Sequence, residues 1–235
     1  MQLFFPFFQS PQEQLTEASR EEMESAVDRL IKLSSNEYGY YLFLVLSILI
    51  TTAGLLLQSL PVVIGGMIIA PLLMPLLALG LAMLLLEWRG ILRATLVIVV
   101  SVLLALVLSI ATTVVSILTE PVTYTISSIP VIIPPGLYFL IAFCAGVAGA
   151  FSFVKKHLSS SISGVAVSSS LVPPLCAAGV GLAHNDVFLM GRSLTIFLLN
   201  VLGIVLAAIV VFWILGFGVM HRCEQKAVED ISRSL

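Results

Sequence analysis

The sequence predicts an all-α integral membrane protein: six transmembrane helices forming two inverted three-helix repeats, with proline-broken second and fifth helices. Three observations carry this. The 235 residues are 59% hydrophobic and only 10% charged, too little polar surface for a soluble domain of that length. The stretches between Arg93 and Glu120 and between Arg192 and His221 hold no Asp, Glu, Lys, Arg or His. Each exceeds the roughly 20 apolar residues of a bilayer crossing. Finally, the uncharged stretch Ile64–Gly80, interrupted by Pro71 and Pro75, has a counterpart at Ser163–Gly179, interrupted by Pro173 and Pro174.

The elements follow in chain order. The start, MQLFFPFFQS, lacks the basic residues that open a signal peptide. Ser10-Pro11-Gln12-Glu13 resembles a capping box with proline at the first helical position. Leu15, Met23, Ala26, Val27, Leu30 and Leu33 then recur at helical spacing, so residues 11–34 read as an amphipathic helix. Its polar face is acidic, which argues against attraction to anionic lipid. It either packs on the protein's own cytoplasmic face or forms a short coiled-coil seam. Residues 1–35 are thus a cytoplasmic segment, 36–220 the membrane domain and 221–235 a cytoplasmic tail.

Six crossings are expected at 38–60, 61–86, 94–119, 137–154, 158–183 and 193–219. Six full crossings with the N-terminus inside put Arg20, Arg29, Lys32, Arg89, Arg93, Lys155, Lys156, Arg222, Lys226 and Arg233 on the inner side and Arg192 alone outside. Treating segments two and five as re-entrant hairpins nearly erases that bias. The positive-inside rule therefore favours six crossings and two cytoplasmic termini. The proline-rich stretch 120–136, with no basic residue, reads as an ordered external loop. Trp88 and Trp213 suit the membrane interfaces, and His157 and His184 read as anchors at helix ends. Small-residue ridges, Ala145 with Gly149 and Gly146 with Ala150, suggest a homo-oligomer.

The repeat emerges when residue n is set against n+99. Gly65 meets Gly164, Leu72 meets Leu171, Pro75-Leu76 meets Pro174-Leu175, and Gly80 meets Gly179. Further on, Glu87 meets Asp186, Arg93 meets Arg192, and Ser101 meets Asn200. The alignment of 38–119 with 137–219 has no gap. Leucine and valine matches are cheap in such a chain; matched proline, glycine, acid and arginine positions are not. A unit of three crossings obliges the second unit to enter from the opposite side, a recurring design of secondary transporters.

Proline lacks an N–H and clashes with the carbonyl four residues back. Pro71 and Pro75 are expected to free the carbonyls of Met67 and Pro71, and Pro173 and Pro174 those of Ser169 and Ser170. In hydrocarbon such groups need another partner. Ser168, Ser169, Ser170, Thr51, Thr52, Ser101 and Asn200 lie at comparable depth, so a midplane site of carbonyls, hydroxyls and one amide is expected, without fixed charge. It would suit a neutral solute or a small ion better than a charged organic one. The alternative is kinks that only shape packing, with serines bonded to their own helix. Glu87 with Arg93, and Asp186 with Arg192, are expected either as ion pairs stapling the connections or as a gate.

Other chemistries lack their residues. There is no HExxH, no pair of intramembrane aspartates, and no Walker or dinucleotide fingerprint. His157 ahead of the SISG at 161–164 has no third residue to orient it as a catalytic pair. Cys144, Cys176 and Cys223 lack metal-ligand spacing. No enzyme, cofactor, metal or nucleic-acid partner is expected. The expected partners are the lipid bilayer, a second copy of the chain and a small solute or ion. The competing function is a non-transporting scaffold or sensor that binds a cytoplasmic partner through residues 11–34.

PVVIGGMIIAPLLMPLLALGLA at 61–82 and GVAVSSSLVPPLCAAGVGLA at 164–183 resemble the domain-of-unknown-function 389 family, hydrophobic proteins of bacteria and archaea. The resemblance covers residues 36–220. It implies a multi-pass protein of a prokaryotic cell (inner) membrane. Some similar proteins carry an added soluble domain. The resemblance implies no substrate.

Overall fold

A computed structural model describes residues 38–119, 135–154 and 160–217, without the side chains of Pro135 and 160–170. The expected helix at 11–34, the loop 120–136, Lys155, Lys156, His157 and the tail 221–235 lie wholly or almost wholly outside the described residues. Those described form seven helices and no strand: α1 Tyr38–Leu56, α2 Leu60–Ile69, α3 Leu73–Leu84, α4 Trp88–Thr119, α5 Pro135–Val154, α6 Ser160–Ala183 and α7 Val187–Ile214. Helices α1, α4, α5 and α7 are each long and apolar enough to cross a membrane, and α2 with α3 forms a fifth such unit bent by 51°. Only a minority of residues on each of the four is buried. The rest present Leu, Val, Ile and Phe outward, as a lipid-facing surface does.

The core forms around α6, which touches every other helix. Leu171, Val172, Leu175, Cys176, Ala177 and Ala178 are all buried there. Two crossings bring backbones unusually close. A Cβ added to Gly80 of α3 would lie 2.7 Å from the Ala208 Cβ and 3.3 Å from the Val205 carbonyl oxygen on α7. A Cβ added to Gly179 of α6 would lie 2.6 Å from the Ser109 Cβ and 3.3 Å from the Leu106 carbonyl oxygen on α4. Where α1 meets α2, Gly66 packs against Thr51, with the Thr51 amide 2.8 Å from where its Cβ would be.

Two expectations fail here. The fifth segment is not broken: α6 runs as one helix through Pro173 and Pro174. Adjacent prolines remove two neighbouring backbone bonds on one turn, and the helix continues past them. The second segment does break, because Ala70 takes the extended conformation favoured before proline (φ −67°, ψ 125°). The small-residue ridge expected to serve a second copy packs within the chain. Gly146 abuts Ala207 and Ile204 of α7, and Ala145, Gly149 and Ala150 are buried. Boundaries shift as well. The third crossing begins at Trp88 and the last spans Val187–Ile214.

Helices α1, α3 and α6 end alike, with a residue of positive φ: Gln58 (53°), Leu86 (55°) and Asn185 (57°). After α3 the Glu87 amide donates to the Ala82 carbonyl at 3.0 Å and the Leu86 amide to that of Met83 at 3.3 Å. After α6 the Asp186 amide donates to Gly181 at 2.8 Å and the Asn185 amide to Leu182 at 3.2 Å. This is the Schellman pattern, which satisfies the last carbonyls of a helix.

Two stability predictions follow from these geometries. Leu86 is 86% exposed, so replacing it forfeits little packing while asparagine relieves the left-handed strain. Leu86→Asn should raise the melting midpoint in detergent by about 2–4 °C, from roughly 1 kcal/mol, and Asn185→Leu should lower it comparably. Gly66→Ala meets backbone atoms that cannot yield and should cost about 1–3 kcal/mol. Gly65→Ala, with nothing within 4 Å of its Cβ, should be neutral or mildly stabilising, which circular-dichroism melts will separate.

Candidate functional site

The interruption at 70–72 is where backbone polar groups leave the helical ladder, so the site is built from there outward. The Ala70 amide turns back to the Met67 carbonyl at 3.3 Å. The Gly66 carbonyl accepts from the Ser47 hydroxyl of α1 at 2.8 Å. Both carbonyls are thus satisfied by the protein itself. On the other side of the break Leu72 opens α3 without a side-chain cap. Pro75 falls in the first turn of α3, where its amide would have no helical partner in any case. Pro75 therefore starts a helix rather than breaking one, contrary to the expectation that it frees the Pro71 carbonyl.

Around this point the interior is polar but uncharged. Thr51 and Thr52 of α1 are fully buried; the Thr51 Oγ1 has no hydrogen-bond partner, and the Thr52 hydroxyl lies beside the Cys176 thiol. Helical Ser and Thr side chains elsewhere in the chain donate to the carbonyl four residues back: Ser101 to Val97, Thr112 to Leu108, Thr113 to Ser109 and Thr195 to Gly191. For Thr51 that carbonyl is Ser47, against which Gly66 packs. For Thr52 it is Ile48, which the Cys176 thiol of α6 approaches at 3.9 Å. Ser109 of α4 reaches the Cys176 carbonyl at 2.8 Å.

The expected site residues are only partly brought together. Thr51 faces Gly66, one turn ahead of Ala70 and Pro71 on α2. Ser101 lies elsewhere: its hydroxyl pairs with the Tyr40 hydroxyl at 2.9 Å, near the start of α1 and about 16 Å along that helix from Thr51. Asn200 is buried on α7. Pro173 and Pro174 are half-buried within α6, and the side chains of Ser168, Ser169 and Ser170 lie outside the described residues. Ser47, Ser109 and Cys176 were not among the expected residues. Ser47 was legible, because Leu44, Ser47, Ile48 and Thr51 share one helical face. Ser109 was legible as the residue that pairs with Ala208 in the repeat.

The acids of the two connections sit at helix starts. The Asp186 carboxylate accepts from the Leu189 amide at 2.9 Å and caps α7, a favourable place for negative charge. Glu87 holds the matching position, and its carboxylate lies against Gly90. The structure uses Asp186 as a cap rather than pairing it with Arg192. Among the described residues no group of three or more His, Cys, Asp or Glu side chains is placed to hold a metal.

Comparison with known proteins gives the chain relatives without an assigned activity. An uncharacterized protein of Methanocaldococcus jannaschii, MJ0678, is 29% identical over 194 residues. The match covers 82% of this chain and 58% of that relative, so the chain spans little more than half of its length. No solved structure matches. The family model described as Domain of unknown function (DUF389) matches residues 67–206, from the end of α2 to the middle of α7. With its uncharged interior, apolar outward faces and interrupted second segment, the chain belongs to the DUF389 family.

Proposed function

We propose that the chain is a small secondary transporter or channel-like protein of the cell membrane, without enzymatic chemistry of its own. Six crossings, two inverted repeats and cytoplasmic termini complete the reading. The observation that carries it is the crosswise pairing of the repeats. Gly80 packs on Ala208 and Val205, and Gly179 packs on Ser109 and Leu106. Adding 99 to the first residue of one contact, and subtracting it from the others, yields the second contact. Residue i of one unit thus meets residue j of the other, and j meets i, as a two-fold axis requires. Helix ends agree: α3 and α6 stop at Leu84 and Ala183, and α4 and α7 start at Trp88 and Val187. The matched turns between them add support, although α1 ends in the same kind of turn.

Two-fold units of three crossings enclose a region near mid-membrane where an interrupted helix meets its counterpart. Buried hydroxyls without fixed charge fit a neutral solute or a small ion stripped of part of its water. A solute held by Thr51 or Thr52 loses one hydrogen bond when either becomes valine.

Flux into proteoliposomes tests this, with glycerol followed by light scattering and Na+ and K+ by ion-selective electrodes. At least one probe should cross faster than in protein-free vesicles. Thr51→Val or Thr52→Val should then raise its half-saturating concentration about fivefold to tenfold, the loss of one hydrogen bond of about 1 kcal/mol. No flux above background with any probe, from protein that is folded by circular dichroism, contradicts the proposal.

A further inference from the structure

The two repeats match in sequence and in their crossings, yet they differ at their prolines. The first repeat is interrupted and bent by 51° between α2 and α3, and the second continues as one unbroken helix through Pro173 and Pro174. An exact two-fold would make them alike. Resting on the inverted-repeat reading above, we infer that the repeats exchange these conformations. In a second state α6 bends at Pro173–Pro174, α2 and α3 join into one straight helix, and the Thr51 and Thr52 hydroxyls become wet.

The exchange is balanced in its backbone bonds. Pro173 and Pro174 lack the amides that would reach residues 169 and 170, so α6 has no hydrogen bond to lose at that point when it bends. Straightening α2–α3 places Pro71 and Pro75 inside a helix, as Pro173 and Pro174 already are; the repeat matches Pro75 with Pro174, and Pro71 stands opposite Ser170. Each state therefore holds one proline segment continuous and one bent, and the cost moves from one repeat to the other. The crossings at Gly80 and Gly179 are the same in both halves, so they can persist as pivots while the segments around them change.

The hydroxyls of α1 identify the face that opens. Thr51 is fully buried without a partner and Thr52, equally buried, meets the Cys176 thiol, although the carbonyls four residues back normally serve such side chains. The elements covering those carbonyls are α2, through Gly66, and α6, through Cys176. These are the two elements that change shape in the exchange. Buried polar groups without partners are poor solutions in a static structure; they are reasonable in one of two states if the other gives them water or solute.

Spin labels at Leu60 and Met83, exposed residues at the two ends of the bent pair, measure the exchange in nanodiscs. Straightening should lengthen their separation by about 3 Å, from arms of 1.5 Å rise per residue. Cys144→Ser and Cys223→Ser remove competing thiols. The full chain should give two populations. Pro173→Ala/Pro174→Ala should retain only the shorter distance, and Pro71→Ala should favour the longer. A single shorter distance in the full chain, unchanged by either set of substitutions, overturns the inference.

If those variants fail to fold, N-ethylmaleimide labelling of Thr51→Cys in the Cys144→Ser/Cys223→Ser chain, with all prolines kept, decides the matter. Reaction well above the parent, which retains buried Cys176, supports a wetted state. No reaction, while Leu57→Cys reacts fully, overturns it. Two populations without flux of any probe would leave the exchange standing and remove the transport reading instead.

Discussion

A peptide group in hydrocarbon has no water to bond, and the rest of this structure follows from that constraint. It makes long helices the default, and it makes any interruption conspicuous. At 70–72 the chain interrupts a helix and repairs most of the damage locally. The Ala70 amide folds back to Met67, Ser47 crosses from α1 to Gly66, and Pro75 sits where no amide is needed. The interruption is supported by bonds within the protein. What remains outside the repair is the buried Thr51 hydroxyl on the same helix as Ser47.

The same constraint explains how the helices meet. With lipid as apolar as leucine, helices gain little from burying apolar side chains and depend on close packing. Small residues provide it at Gly66, Gly80, Gly146 and Gly179, where the backbone of one helix rests on another. Two of these contacts, at Gly80 and Gly179, are images of each other under the repeat. On the proposed inverted-repeat reading, this crosswise pairing gives the chain the symmetry of a dimer. On that reading the two halves differ at their proline segments, one interrupted and one continuous.

Part of this was legible in the sequence. The apolar lengths marked four helices long enough to cross a membrane and a fifth, bent unit, where six crossings were expected; Pro71 marked the interruption; and the repeat at n and n+99 stays a reading of the sequence. The failures share a cause. Whether Pro173 and Pro174 break α6 depends on the helices packed around that turn, and those contacts are tertiary. Whether the α5 ridge binds a second copy or α7 cannot be told from the ridge. Ser101 looked level with Thr51, but Tyr40 holds it at the other end of α1. The role of Pro75 turned on where the helix restarts, a shift of one turn that periodicity does not resolve.

The account rests centrally on the second repeat being inverted, and sidedness of labelling tests that most directly. Single cysteines at Leu57, Leu86 and Val187, all exposed at helix ends, are treated in spheroplasts with a membrane-impermeant maleimide. Inverted repeats place Leu57 and Val187 outside and Leu86 inside, so the first two should label and Leu86 should label only after permeabilisation. Leu86 and Val187 occupy matching turns; if both label from the same side, the repeats are not inverted and the account fails.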